Sequence, residues 1–480
     1  MMEKIELVFI PAPARGHLVS MVELANELVS RDNRFSVTVL VINSPLELTS
    51  PPLPTNSEAS IQFLEVPKPL QLPPLELFHE SVENYITSYI GSHRSQVKDI
   101  IVNRFSTTTT KSSFRLSGLV VDMFCTAMND VATELGVPSY LFFASGAGFL
   151  GFALYLHSRR ELGGAEFEES DPESDIPSYA NPVPAKALPS FAFNKRGGFA
   201  SFASHGEEFR RTKGIIVNTV LELESHAVGS LSDGVTPPVY TVGPLLDLKG
   251  KTDQQRCDQA QRGKIMTWLD GQPPKSVVFL CFGSNGTFGA PQLREMATGL
   301  ERSGQRFLWS VRRAPPQGKF VPEDYADTDD FLPRGFSERT REKGMLCGWA
   351  PQVEVLAHEA IGGFVSHCGW NSILESVWFG VPIATWPMYA EQQINAFQMV
   401  RDLELAVELR LDYRRDGGDH LVTAEEIERA VGCVMEGGDG GKVRKRVEEM
   451  SEKCRRAVVK GGSSFESFGR FTEAVLANVL

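Results

Sequence analysis

Short apolar runs alternate with helix-spaced apolar patterns along this chain, and the alternation starts twice. In the first half, residues 5–10, 36–42, 119–124, 140–143 and 214–218 read as strands. Residues 11–17, with Pro11, Pro13 and Gly16, read as a turn. From Leu18 onward, Met21, Val22, Ala25, Leu28 and Val29 follow at helical spacing. A polar stretch over 247–264 then interrupts the pattern, which resumes with a strand at 277–282, a helix at 291–303 and a strand at 306–311. Strand–helix alternation predicts an α/β fold with parallel sheets covered by helices on both faces. At 480 residues the chain exceeds one hydrophobic core, so two domains are expected. Their bounds are placed at 1–246 and 263–462, with a linker at 247–262 and a final helix at 463–480. Phe465, Phe468, Phe471, Ala474 and Val475 share one side of that helix.

Charge and cysteine usage narrow the class of protein. The formal net charge of −12 argues against a nucleic-acid partner, because binding a polyphosphate needs a basic face. Seven dispersed cysteines suit a reducing compartment better than a disulfide framework. The N-terminus carries Glu6 inside its apolar run and then Pro11 and Pro13, a pattern unlike a signal peptide. A cytoplasmic protein is therefore expected. Residues 137–156 carry no charge, but Pro138, Ser139, Ser145, Gly146 and Gly148 divide them into a buried strand and the start of a helix. No stable membrane insertion is expected.

The chemistry concentrates between Trp349 and Gln392. This window holds Trp349-Ala350-Pro351-Gln352, His358, Ser366-His367-Cys368-Gly369-Trp370-Asn371-Ser372, Glu375, Gly380-Val381-Pro382 and Glu391-Gln392. Trp349 offers a flat apolar face for a base, and Glu375 a carboxylate for ribose hydroxyls. The run from His367 to Ser372 opens a helix, which turns unpaired N–H groups and a positive dipole end toward a diphosphate. Glu391 and Gln392 supply groups that read sugar hydroxyls.

The window resembles the signature box of plant secondary-product glycosyltransferases (family 1), which use uridine-diphosphate sugars. The resemblance extends to the N-terminus and to the strand near residue 120. It implies two Rossmann-like domains facing a cleft (the GT-B architecture), with a final helix that crosses back to the N-terminal domain. It also implies that Trp349 stacks on uracil, that Ala350 and Gln352 contact uridine, and that Glu375 binds the ribose. Trp370, Glu391 and Gln392 are then sugar contacts. Gly16, Ser284, His367, Gly369, Asn371 and Ser372 complete the expected UDP site. A terminal glutamine is associated in the family with glucose, and histidine with galactose. UDP-glucose is thus the expected co-substrate, and no cofactor is expected.

Two further constellations concern the reaction itself. His17, in Ala14-Arg15-Gly16-His17, sits at a strand–helix turn, where imidazole can take a proton from an acceptor hydroxyl. Gly16 lets the backbone pass close to a ligand. Asp122 ends an apolar strand, where a carboxylate is costly unless it has a partner. Asp122 reads either as an N-cap or as the group that orients His17; the resembled family has a His–Asp pair at these places. Gly283-Ser284, after the strand at 277–282, fits a phosphate seat. Phe124, Ser145, Phe149, Tyr389 and Ala390 are the candidate acceptor pocket. Family members often carry threonine where this chain has Ser145.

Other patterns are discounted. Asp327-Thr328-Asp329-Asp330 follows a Pro/Gly-rich loop rather than a strand, so it reads as a solvated loop and not a metal site. The spacing of Cys347, His358, His367 and Cys368 matches no usual zinc site. Gly437-Gly438-Asp439-Gly440-Gly441-Lys442 lacks the Ser/Thr that a phosphate loop needs after its lysine. Asn285-Gly286-Thr287 is a formal glycosylation sequon at the expected phosphate seat. The expectation is an inverting, metal-independent UDP-glucose O-glucosyltransferase, monomeric, acting on a flavonoid or other phenolic. A triterpenoid or hormone-like acceptor is the nearest alternative. A nucleotide-sugar epimerase or dehydrogenase would need a Gly-rich dinucleotide turn, which neither half has. An inactive UDP-sugar-binding protein fits poorly with His17 and Asp122 both in place.

Overall fold

The computed structural model describes residues 4–45, 60–105, 114–250, 258–315, 322–325, 331–415, 420–436 and 439–478. It divides into two compact units. The first takes in Met1–Pro182, Phe191–Leu246 and Ala457–Leu480; the second takes in Val183–Ser190 and Asp247–Arg456.

The first unit is built on seven parallel strands: β1 (Lys4–Ile10), β2 (Phe35–Val41), β3 (Ile61–Glu65), β4 (Phe114–Asp122), β5 (Ser139–Phe143), β6 (Ile215–Val217) and β7 (Val239–Thr241). Their order is β3-β2-β1-β4-β5-β6-β7. The apolar runs reflect burial on both faces. Ile5, Leu7 and Phe9 pack with one core, and Val8 and Ile10 with another, as the two-residue period of a strand requires. Helix Ser463–Ala477 joins the first of these cores through Phe468, Phe471 and Val475. Asn478 also donates to the Tyr140 hydroxyl at 2.8 Å.

The second unit repeats the plan with β8 (Val277–Cys281), β9 (Arg306–Ser310), β12 (Gly344–Cys347), β13 (Ile361–Ser366), β14 (Ile383–Thr385) and β15 (Ala406–Glu408), in the order β12-β9-β8-β13-β14-β15. A two-residue antiparallel ladder pairs β10 (Arg312–Arg313) with β11 (Glu323–Asp324). Each large sheet reverses strand order once, between β1 and β4 and between β8 and β13. Ligands of such sheets bind beyond the strand C-termini at that reversal.

Several boundaries differ from those expected. Residues 183–190 group with the second unit, where Arg414 donates to the carbonyls of Lys186 and Leu188 at 3.1 and 2.7 Å. The final stretch of the first unit begins at Ala457 rather than 463. Helix Gln259–Asp270 occupies the end of the expected linker, opened by Asp258, which accepts from the Ala260 N–H at 3.4 Å. The rest of that linker, residues 251–257 with Cys257, lies outside the described residues, as do residues 327–330 and 437–438. The first helix, Arg15–Arg31, starts three residues before Leu18 and so includes His17. Residues 139–143 form β5, and helix Ala147–Glu161 follows. Among the described residues, no helix is long and apolar enough to cross a membrane.

Candidate active site

In the first unit, two side chains meet at the sheet reversal. β1 ends at Ile10, and the helix that follows carries His17 in its first turn. β4, the strand beside β1, ends at Asp122. His17 Nδ1 lies 2.8 Å from Asp122 Oδ2. The Asp122 carboxylate is wholly buried, while the His17 side chain keeps 23% of its surface. Asp122 Oδ1 accepts from the Phe124 N–H at 3.1 Å. Asp122 therefore holds the imidazole; it is not a helix N-cap, since the next helix, Met128–Leu135, has Ala127 at its N-cap, and its second oxygen closes a turn instead. A carboxylate on Nδ1 places the ring's basic nitrogen at Nε2.

Phe124 stands against this pair, its ring centroid 5.5 Å from that of His17. It also meets Phe202 and His205 edge-on, each at 5.8 Å. His205 is buried between Thr87 and Thr126, both 2.8 Å from its ring nitrogens. Burial lowers its pKa to about 4, so it is neutral at neutral pH. Gly16, also in this unit, is the second residue of the first helix, and its carbonyl accepts from Ser20 at 3.0 Å.

The second unit gathers the expected donor-site residues beyond its strand ends. Gly283 and Ser284 follow β8, Trp349–Gln352 follow β12, His367–Glu375 follow β13, and Tyr389–Gln392 follow β14. Helix Trp370–Phe379 opens at Gly369 with no capping side chain. Its first-turn N–H groups have no acceptor within the helix itself, the general property by which a helix N-terminus suits an anion. Cys368, at φ +62°, makes the turn into it. That turn is held by the Ser366 hydroxyl, which accepts from the Cys368 N–H at 3.2 Å, and by Asn395, which donates to the Cys368 carbonyl at 3.1 Å.

His367 is gripped from two sides. A Cβ on Gly283 would stand 2.6 Å from its Nε2, and so would one on Gly369. Gly283 also has φ +70°, so glycine is needed there twice over. Burial lowers the His367 pKa to about 4, leaving a neutral imidazole that offers hydrogen bonding but no charge. Its buried Nδ1 has no hydrogen-bond partner among the described residues. Ser372 and Glu375, three residues apart on one helix face, are joined by Gln352. Its Nε2 donates to Ser372 Oγ at 2.8 Å and to Glu375 Oε2 at 2.6 Å. Three residues of the box thus form one polar array.

The expected sugar and acceptor contacts are less uniform. Gln392 is 3% exposed, and its Oε1 accepts from the backbone N–H groups of Met388 and Tyr389 at 2.9 and 3.1 Å. Its carbonyl end is therefore committed to the loop. Trp370 is 3% exposed, so most of its indole is enclosed. Glu391 is partly exposed. Ala390 is exposed and held at φ +55°. Tyr389 carries the Arg415 guanidinium 5.0 Å from its ring centroid. Ser145 is 4% exposed. Phe149 is 2% exposed and ringed by Phe143, Phe152, Phe191 and Phe202, which makes it core more than pocket surface.

Three residues not singled out from the sequence support these sites. Glu224, 1% exposed, accepts from the N–H groups of Ala147 and Gly148, both at 2.8 Å, and from the Thr219 hydroxyl, which fixes the turn that carries Ser145. Asn395 holds the Cys368 turn. Arg312 places its guanidinium 5.0 Å from the Trp349 ring centroid. None of the three carries a sequence signal of its own; Glu224 stands between Leu223 and Ser225. Of the discounted patterns, His358 is bound within its own loop and to Asp270. Among the described residues, no three His, Cys, Asp or Glu side chains gather as a metal site.

Comparison with known proteins bears on the family and the fold. A model of the family described as UDP-glucoronosyl and UDP-glucosyl transferase matches residues 254–435. UDP-glycosyltransferase 71K1 of Malus domestica is 51% identical, over 99% of this chain and 99% of its own length. The putative UDP-glucose flavonoid 3-O-glucosyltransferase 3 of Fragaria ananassa is 49% identical, over 98% of this chain and 99% of its own length. Among solved structures, UGT71G1 of Medicago truncatula complexed with UDP-glucose matches with a TM-score of 0.86 and 45% identity, over 98% of each chain. With the parallel-sheet plan of both units and identity of this degree along the whole length, the chain belongs to the plant UDP-dependent glycosyltransferases and is an enzyme of the GT-B fold.

Proposed function

We propose that the enzyme transfers glucose from UDP-glucose to a hydroxyl of a small apolar plant metabolite, a flavonoid or other phenolic, with inversion at the anomeric carbon. The observation that carries this reading is the His17–Asp122 pair at the sheet reversal, 2.8 Å apart and backed by an aromatic ring. His17 Nε2 takes the acceptor proton as the oxygen attacks the anomeric carbon. The bond from that carbon to the diphosphate breaks, and its electron pair leaves with UDP. Asp122 stabilises the imidazolium that forms. In the second unit, Trp349 carries the uracil, Ala350 and Gln352 contact uridine, and Glu375 holds the ribose. Charge on the leaving diphosphate is met by Ser284, His367 and the N–H groups at Gly369, Asn371 and Ser372. Preorganised donors of this kind need no metal ion. The choice of glucose and of a flavonoid draws on the two relatives named for those compounds. Six cysteines are free among the described residues, which fits a cytoplasmic setting.

The test is incubation with UDP-glucose and a panel of plant phenols, with and without EDTA, read by mass spectrometry. A hexose adduct on a phenol, formed equally in EDTA, is expected. Absence of any adduct, or loss in EDTA restored by Mg²⁺ or Mn²⁺, contradicts the reading.

Sugar choice gives a second expected result. Gln392 can offer only its amide nitrogen to a hydroxyl while its oxygen holds Met388 and Tyr389. One such contact shifts preference by roughly tenfold. UDP-glucose should be preferred over UDP-galactose, and Gln392→His should narrow that ratio while lowering activity with both donors through the disturbed loop. If kcat/KM falls by the same factor for both donors, Gln392 is a loop anchor and not a sugar contact.

A further inference from the structure

Arg312 is a buried cation with a specific place beside the proposed base platform. Its side chain is 9% exposed. One terminal nitrogen donates to the Ser284 carbonyl at 2.7 Å and the other to the Pro322 carbonyl at 2.6 Å. Its Nε lies 3.7 Å from Asp324 Oδ1, and its Cζ stands 5.0 Å from the centre of the Trp349 ring. The small β10–β11 ladder produces this arrangement, since it pairs Arg312 directly with Asp324. The platform is pinned from other sides too. Gln261 donates to the Trp349 carbonyl at 2.6 Å, and Ser310 to that of Gly348 at 2.7 Å. The Asp324 carboxylate lies so close to Gly348 that a Cβ there would come within 2.1 Å of it.

We propose that Arg312 is a positioning residue for the donor nucleotide, which fixes the Trp349 ring and ties it to the strand end at Ser284. This rests on the reading that Trp349 carries the base and Ser284 the phosphate. A guanidinium suits the task because it is flat enough to lie on an indole face while its fork reaches two carbonyls at once. Base and diphosphate are held at a limited span by the ribose between them. A platform and a phosphate seat kept at one spacing before the ligand arrives avoid the cost of ordering them on binding. Lysine supplies the charge but neither the plane nor the second bond.

The experiment is calorimetric titration of UDP into the wild-type enzyme, Arg312→Lys, Arg312→Met, Trp349→Leu and the double variant Trp349→Leu/Arg312→Met. From the range for cation–π contacts, loss of the guanidinium should weaken UDP binding by about 3- to 30-fold. Arg312→Lys should fall between wild type and Arg312→Met, and kcat at saturating UDP-glucose should change little. If Arg312 acts through the indole, adding Arg312→Met to Trp349→Leu should cost little more. The proposal is overturned if the Arg312 variants bind UDP as wild type does, or if the two losses add in full. It is also overturned if the only effects are a lower melting temperature and fewer binding sites at unchanged Kd, the mark of a purely structural residue. Failure of the wild-type enzyme to bind UDP would instead overturn the reading of the donor site itself.

Discussion

Replacing His17 with alanine should lower turnover by roughly 10²-fold or more, the scale set by loss of a general base. Affinity for UDP should stay at the wild-type level, because His17 belongs to the first unit and the proposed UDP contacts around Trp349 and His367 to the second. The loss should be smallest with the most acidic phenols, which part with their proton most readily. Rates measured across a series of phenols of graded acidity, with UDP affinity determined in parallel, check this. Full-rate transfer by the alanine variant would remove His17 from the mechanism.

Asp122→Asn should cost a similar or larger factor, on the order of 10³-fold, by the logic of a carboxylate that fixes a catalytic imidazole. The wild-type carboxylate accepts twice, from His17 Nδ1 and from the Phe124 N–H. An asparagine keeps one acceptor oxygen. If that oxygen turns to Phe124, its amide donates to Nδ1 and forces the ring proton onto Nε2, the atom that must receive the acceptor's proton. The change should appear in kcat with little effect on UDP affinity or melting temperature. A variant as fast as wild type would mean that Asp122 serves only as the cap of its turn.

How much of this was legible before the fold was known depended on whether the cause was local. β8 is buried on both faces and reads as an unbroken apolar run, while β1 and β2, equally buried, stay legible although Glu6, Ser36 and Thr38 interrupt them. β3 escaped notice because it is an edge strand whose sequence IQFLE is only partly buried, and β7 because three residues carry no pattern. The first helix was placed late because Ala14 gives it no capping side chain and Gly16 looks like turn chemistry. His17, Asp122 and the 349–392 box were readable since each residue type fits its chemistry at a strand end. The grip of Gly283 on His367 was not, since these residues, 84 positions apart, meet only when β8 and β13 pair. Arg312 was invisible for the same reason: an arginine after a strand is ordinary until Trp349 lies beneath it. The commitment of the Gln392 oxygen to its own loop likewise depends on where the fold places the Met388 and Tyr389 N–H groups.

One measurement bears most directly on the central claim, that His17 drives a single displacement of UDP from glucose. UDP-glucose carries its sugar in the α configuration, so direct attack by an acceptor oxygen must give the β-glucoside. The product formed from a single-hydroxyl phenol can be read by proton NMR, from the splitting of its anomeric proton. The account predicts the β-O-glucoside alone, formed by the wild-type enzyme and nearly lost in His17→Ala. An α-glucoside, or β-glucoside formed at the same rate without His17, would contradict it.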